Sequence, residues 1–427
     1  MNRTIAIVGA GISGLSLQYL LKKNNPNYNV TIFEKDLQLG GVMQTHFEDE
    51  FLFESGPRTF PYSRAPDLLR LIEELNLSDQ IIDSTHSAAS RYICHNGKLE
   101  KLPNSLKELF TSPLMSGFGK AIMRDLFCKK GPKDETIEQF FTRHIGSKLT
   151  HQLIDPMVSG IYAGDISQLS IVSTFPYFKD MEQKKRSLIL GSLFSKKKRK
   201  SKRGLFTLKG GMSTLIEALS QDLYIEGEVE SISFEGGKAI VNSKGIRSSF
   251  DHLYLCVGPM VAKKLLPANC SHYFSAISSA SIATVNMGYK EGDLPINGFG
   301  FLAPSKENEP FLGALIDSSI FPQQNHSKEQ KRITVMVGGA KCCLANMDRS
   351  QLQAIANQCV SNYLGLPSTS YNLVNRYENA LCQAGVGHAE NMQQLQLHLS
   401  EFPITLHAPY LFGTSVNACV QAAYNSL

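Results

Sequence analysis

Apolar positions fall into short continuous runs near the two ends of the chain and into helical spacing between them. Ile5-Ala6-Ile7-Val8 is the kind of run that forms a parallel strand covered on both faces. Leu15 to Leu21 follows with the spacing of a helix, and Val30-Thr31-Ile32-Phe33 reads as a second strand, so residues 1–60 predict a βαβ unit. Leu68, Leu69, Leu71, Ile72, Leu75 and Leu77 predict a helix over 68–77. Arg91 to Cys94 and Asn96-Gly97-Lys98-Leu99 predict a hairpin about an Asn-Gly turn. The pattern from 103 to 170 is mostly helical, and 184–203 reads as a mobile loop. Strand-like alternation returns at Leu223 to Ile225, Val229 to Phe234, Ala239 to Val241 and Leu253 to Val257. A mixed α/β section spans about 263–404, Asn417 to Tyr424 predicts a helix, and no internal repeat is visible.

Between the first strand and helix stands Gly9-Ala10-Gly11-Ile12-Ser13-Gly14, with Glu34 at the end of the second strand. This order suits a dinucleotide. Gly9 allows a tight turn, Gly11 lets a pyrophosphate approach the backbone, and Gly14 lets the helix pack on the strand. The helix N-terminus offers unpaired N–H groups to phosphate, and Glu34 can accept hydrogen bonds from ribose hydroxyls. Gly40-Gly41 follows closely, a pair that lets backbone pass near an extended ligand and suits FAD better than NAD.

With 427 residues, 42% hydrophobic and 19% charged, the chain can form two or three globular domains. No apolar stretch is long enough to cross a bilayer. Arg3 and the apolar run after it superficially resemble a signal peptide, but the same residues form the glycine fingerprint and no A-x-A site follows. The nine cysteines are scattered without C-x-x-C, pointing to a reduced, cytoplasmic compartment. The eleven histidines show no ligand spacing, so no metal site is expected. Ten Lys or Arg and no acid lie between Lys184 and Arg203, against +5 for the whole chain. That is one local basic patch, not the overall balance of a nucleic-acid binder.

Five further segments carry a resemblance. They are Phe53-Glu54-Ser55-Gly56-Pro57-Arg58-Thr59-Phe60, Ser159-Gly160-Ile161-Tyr162-Ala163-Gly164-Asp165, Phe206 to Met212, Gly298 to Leu302, and Ser318 to Pro322. In this order they resemble the FAD-containing protoporphyrinogen IX oxidase family of amine-oxidase-like flavoproteins. The resemblance implies an α/β fold: a discontinuous Rossmann-like FAD-binding domain (1–60, 205–262, 405–427), a mixed α/β substrate domain (61–102, 263–404) and an inserted helical domain (103–204). It implies FAD contacts from Gly9, Ala10, Gly11, Ser13, Gly14, Glu34, Lys35, Gly40, Gly41, Gly56, Pro57, Arg58, Val229, Cys256 and Val416. Gly56-Pro57-Arg58 would lie beside the flavin, and Cys256 is expected buried and unreactive. Arg91 would pair with a substrate propionate, as a guanidinium suits a carboxylate. Leu302 and Phe321 would sandwich the tetrapyrrole, with Gly160 and Ala163 bringing backbone close to it. The segment Leu411 to Cys419 is shorter than the family's and has Ala418 where the family has an acid, which implies an altered flavin loop.

The implied reaction moves hydride from a bridge carbon of protoporphyrinogen IX to flavin N5, with oxygen as acceptor, hydrogen peroxide as product and no general base from the chain. Six electrons leave in three flavin cycles. The apolar stretch Ser187 to Phe194, flanked by cations, suits an anionic membrane surface, against a solvated loop as the alternative. A homodimer is left open. Coproporphyrinogen III oxidation, an amine oxidase or desaturase, and a flavin-binding subunit without catalysis stand as alternatives.

Overall fold

The computed structural model describes residues 3–193, 202, 204–221, 223–275, 277–342, 344 and 347–427. A five-stranded parallel sheet runs in the order Ile225–Glu226, Asn29–Phe33, Thr4–Val8, His252–Leu255, Ile404–Leu406. The first strand sits at its centre, and four of its five residues are buried, which explains the unbroken apolar run. The helix Ile12–Asn24 buries Leu15, Leu17, Leu20 and Leu21 against the sheet, and the last helix, Val416–Asn425, packs into the same core. Sequence reading missed the strand Ile404–Leu406, a short segment whose periodicity carries little signal.

The antiparallel meander Val229–Glu235, Lys238–Ser243, Ile246–Phe250 lies beside this sheet and shares its second core. A seven-stranded mixed sheet has the order Asn372–Gln383, Ser278–Tyr289, Lys331–Gly338, Gly313–Leu315, Gly300–Leu302, Arg91–His95, Lys98–Lys101. Period-2 alternation divides its faces. Val285, Met287, Ile333, Val335, Phe301 and Cys94 pack under the helix Arg349–Leu364, while Asn286, Thr334, Leu302 and Arg91 belong to the opposite face. The hairpin expected at Asn96-Gly97 is present, with φ of +52° and +71° at the two turn residues. The helix expected over 68–77 spans Pro66–Glu74.

Helices make up most of residues 106–193, including Phe118–Leu126, Ile137–Ile145, Asp155–Tyr162 and Pro176–Lys185. The segment 184–203, expected as a loop, begins inside a helix and continues into another, Leu188–Leu193; residues 194–201 and 203 lie outside the described set. The reason is a cap from far away. The Asp125 carboxylate accepts from Ser187 Oγ and from the N–H groups of Leu188 (3.1 Å) and Ile189 (3.0 Å). Asp125 belongs to a buried ionic cluster with Glu135, Arg143, His144, Lys179 and Glu182. Among the described residues no helix is long and apolar enough to cross a membrane.

Candidate active site

The glycine turn has the geometry its spacing implies. Gly9 adopts φ +105° and donates to Phe33 O at 2.8 Å; a Cβ there would meet Cys256 O at 2.7 Å. A Cβ on Gly14 would lie 1.9 Å from Gly9 O, so the helix can approach the turn only without a side chain. Gly11 is different: nothing stands within 4 Å of its added Cβ, leaving open space at the helix start. The helix Ile12–Asn24 has no side-chain cap and no acid in its first turn, so its leading N–H groups are available to an anion. Gly40 donates to Ala10 O at 2.8 Å, and Gly41 stands against Gly11. These residues fit a dinucleotide pyrophosphate.

Glu34 has an additional duty. Its Oε2 accepts from Ala10 N–H at 2.7 Å, and its Oε1 accepts from the N–H groups of Lys35 (2.8 Å) and Asp36 (3.1 Å). It therefore ties the second strand to the glycine turn, and its remaining lone pairs are what a ribose could use. Lys35 is exposed and faces Asp36. Ser13 is buried and its hydroxyl approaches the Cys419 thiol, linking the first and last helices. Val416 is buried in that core, and Ser415 caps the last helix by accepting from Ala418 N–H. Asn417 Oδ1 accepts from Asp67 and Leu68 N–H, capping the helix Pro66–Glu74. Val229 is buried where the meander register shifts. Cys256 is half-buried rather than buried, because it lies at the open end of the strand beside Gly9; desolvation still raises its thiol pKa.

Gly56 and Arg58 anchor a polar centre. A Cβ on Gly56 would sit 2.1 Å from Val42 O, while Pro57 is exposed. Arg58, only 8% exposed, donates through Nη1 to Thr334 Oγ1 (2.5 Å), Asp317 Oδ1 (3.2 Å) and Asn286 Oδ1 (3.3 Å). Asn286 Nδ2 is buried without a hydrogen-bond partner. Arg332 lies in the same region, bonded to Asn325 Oδ1 and to the carbonyls of Leu52 and Phe321. Burial lowers its pKa to about 10, Asp317 opposes this and Arg58 reinforces it. Glu54 is buried, accepts from Met212 N–H at 2.8 Å and Thr45 Oγ1 at 3.1 Å, and burial raises its carboxyl to about 7. Sequence reading missed Asn286, Asp317, Thr334, Arg332 and Glu54. The one available signal was Asn286, a polar break inside a buried apolar strand.

Of the expected substrate residues, Arg91 and Leu302 lie on neighbouring strands just inside the outer strand Lys98–Lys101 of the seven-stranded sheet, and Gly160 faces Leu302. Arg91 pairs in register with Gly300, and Leu302 lies two residues further along that strand, so both project from one face. The exposed Arg91 guanidinium stands 4.9 Å from the Phe299 ring centroid and makes no ion pair among the described residues. Gly160, in the last turn of the helix Asp155–Tyr162, faces Leu302, whose Cδ2 is 2.5 Å from an added Cβ. Ala163 ends that helix at φ +49°, and its carbonyl accepts from Ala340 N–H at 2.7 Å. Phe321 is 3% exposed in a small cluster with Ala88 and Ile320, with Phe299 packed against it. Phe321 thus supports the wall that Arg91 stacks on and presents little surface of its own.

The flavin-containing amine oxidoreductase family model matches residues 12–401. The chain is 30% identical to protoporphyrinogen oxidase of Bos taurus, covering 99% of this chain and 97% of that protein. It is 28% identical to coproporphyrinogen III oxidase of Staphylococcus aureus, covering 94% and 92%. A solved structure from Exiguobacterium sp. 255-15, provisionally assigned as a protoporphyrinogen oxidase, superposes with a TM-score of 0.89 at 24% identity, covering 100% of this chain and 98% of that one. With an anion-ready glycine turn and this match along its length, the chain belongs to the flavin-containing amine oxidoreductases, in their protoporphyrinogen oxidase group, and is an FAD-dependent oxidoreductase.

Proposed function

We propose that the chain oxidises protoporphyrinogen IX to protoporphyrin IX with oxygen as acceptor. The observation that carries this reading is Arg91: a guanidinium stacked on Phe299, without an acidic partner among the described residues, beside Leu302 and Gly160. Such a cation suits a propionate at the rim of an apolar face. FAD, when bound, supplies the two-electron chemistry. Gly9, Gly11, Gly14, Glu34, Gly40 and Gly41 would hold its diphosphate and ribose, and Gly56 to Arg58 would flank its ring. Ala10, Ser13, Lys35, Val229, Cys256 and Val416 would complete the cofactor shell, and the three-part domain division set out above goes with this reading. Leu302 would cover one face of the substrate, Phe321 would back the other through Phe299, and Ala163 would fix the helix end that carries Gly160.

Coproporphyrinogen III oxidation is the second reading. It is favoured by Arg64, an exposed cation near Tyr162 that pairs with no carboxylate among the described residues and could meet an additional propionate. The test is to purify the protein, read its visible spectrum for flavin, and follow porphyrin fluorescence with the two porphyrinogens in parallel. Faster turnover of protoporphyrinogen supports the main reading; preference for the four-propionate substrate replaces it. Flavin without either activity refutes both.

A further inference from the structure

The buried centre around Arg58 has a charge imbalance that one residue can correct. Arg58 (8% exposed), Arg332 (2%), Asp317 (7%) and Glu54 (4%) are the buried charged groups gathered there, with the Tyr377 phenol also facing Arg58 and Ser55 and kept neutral by burial. Arg58 has Asp317 as its counter-ion, whereas Arg332 bonds only to neutral oxygens. The cluster is neutral when Glu54 is ionised and carries one excess positive charge when Glu54 is protonated. The groups facing Glu54 come from every element around it. They are Thr45 on its partner strand, Met212 N–H in the turn after Leu205–Leu208, Arg58 just downstream, Asp317 on the helix Asp317–Ile320, and Arg332 on Lys331–Gly338. Burial raises this carboxyl to about 7, against the lowering effects of Met212 N–H, Arg58 and Thr45, so both states are accessible near neutral pH.

We propose that Glu54 takes up one proton from solvent each time two electrons enter the site, and returns it when they leave. This rests on the reading that the cofactor ring lies beside Gly56 to Arg58. Substrate oxidation releases two electrons and two protons. Both electrons and one proton pass to the cofactor as hydride, and the other proton leaves the pyrrole N–H for solvent. An equivalent proton then enters at Glu54, so that the excess positive charge of the cluster balances the negative charge that has arrived. When the electrons leave for oxygen, Glu54 would return its proton to solvent, one of the two that conversion of oxygen to hydrogen peroxide requires, the other being the one that came with the hydride. Glu54 would act as a positioning residue for charge, since its carboxylate is buried and held by Met212 N–H and Thr45 Oγ1.

The test is a potentiometric titration of the flavin-loaded enzyme between about pH 8 and 9, where the carboxyl that burial raises to about 7 is ionised before the electrons arrive. Each proton taken up contributes about 30 mV per pH unit to a two-electron couple. The wild-type potential should fall by about 59 mV per pH unit and that of Glu54→Gln by about 30 mV, with Glu54→Asp recovering the steeper slope. A wild-type slope of about 30 mV, or a Glu54→Gln slope that stays at about 59 mV, overturns the proposal. Arg58→Gln separates the two levels of the argument. If it shifts the potential at every pH while Glu54→Gln leaves the slope unchanged, the ring location stands and the Glu54 role fails. If it moves nothing, the ring location itself fails. Where Glu54→Gln does not fold, the reduced-minus-oxidised infrared spectrum should show a protonated carboxyl C=O band that shifts in Glu54→Asp; absence of such a band overturns the proposal.

Discussion

Replacing Lys179 by methionine removes one of the cations that hold the buried ionic cluster of the helical region. Its ammonium lies 2.8 Å from Glu135 Oε1 and 2.7 Å from Glu182 Oε2, and both acids are almost fully buried. Methionine keeps most of the stem's volume, so the change is chiefly one of charge. Removing one partner of a buried pair costs about 3–5 kcal/mol, because the remaining charge is uncompensated. Glu135 and Glu182 keep Arg143, and Glu182 keeps Gly131 N–H, so the lower end, about 3 kcal/mol, applies. For the whole 427-residue chain unfolding as one unit, with about 2.1 cal/mol/K of unfolding entropy per residue, that is a melting-temperature loss of roughly 3–4 °C. Pairing the change with Glu135→Gln removes the stranded acid and should recover about half of it, a coupling measurable by a double-mutant cycle. The pH dependence adds a second check. Burial raises the Glu182 carboxyl, but Lys179, Arg143 and Gly131 N–H outweigh it and bring it to about 2. Its contribution is present above the unfolded pKa of about 4.5 and is lost as pH falls toward 2, so the penalty of Lys179→Met should shrink over that window. Circular dichroism melts at several pH values give all these quantities. A loss under about 1 kcal/mol near neutral pH, or strict additivity of the two changes, would refute the reasoning.

Gly14→Ala should abolish retention of flavin, since its Cβ would stand 1.9 Å from a backbone oxygen of the phosphate-facing turn; visible absorbance of the purified variant checks this. Arg91→Ala should raise KM about 10- to 100-fold with a smaller effect on kcat, as loss of a charge-assisted hydrogen bond costs about 1.5–3 kcal/mol, and Arg91→Lys should recover part. An unchanged KM would remove Arg91 from the substrate site. His407 is buried and burial lowers its pKa to about 4. The unfolded chain therefore binds more protons between about pH 6.5 and 4, and stability falls as pH drops through that window, by up to about 3 kcal/mol from this group. Urea midpoints of wild type and His407→Gln at pH 5 and 7 should converge on the acid side.

What could be read in advance follows from how locally each feature is encoded. The glycine turn needs one strand, one helix and their junction, so Gly9, Gly11 and Gly14 were legible from spacing. The Asn96-Gly97 hairpin was legible for the same reason. Arg58 was visible as a cation in a marked turn, but its partners Asn286, Asp317 and Thr334 stand 228, 259 and 276 residues away and leave no local periodicity. The helix Leu188–Leu193 was hidden because its cap, Asp125, belongs to another helix more than 60 residues earlier. Phe321 was placed at the substrate by the family resemblance; that it packs with Ala88 and Ile320 behind Phe299 is a long-range contact with no local signal in the sequence.

The central parallel sheet has a consequence for how the protein is made. Its first three-way contact, Thr4–Val8 between Asn29–Phe33 and His252–Leu255, cannot close until more than half the chain has emerged, and Ile404–Leu406 must still add to the edge. At roughly 10 residues per second on the ribosome, about 40 s separate the second strand from the last. For roughly the first 22 s of that interval, until His252–Leu255 emerges, the apolar run Ile5 to Val8 lacks one of its two lateral neighbours, and afterwards His252–Leu255 is itself the nascent edge open to wrong pairing. High contact order of this kind slows folding. The expected outcome is dependence on holdase chaperones during synthesis, relieved once the strand bearing Ile404 locks the sheet.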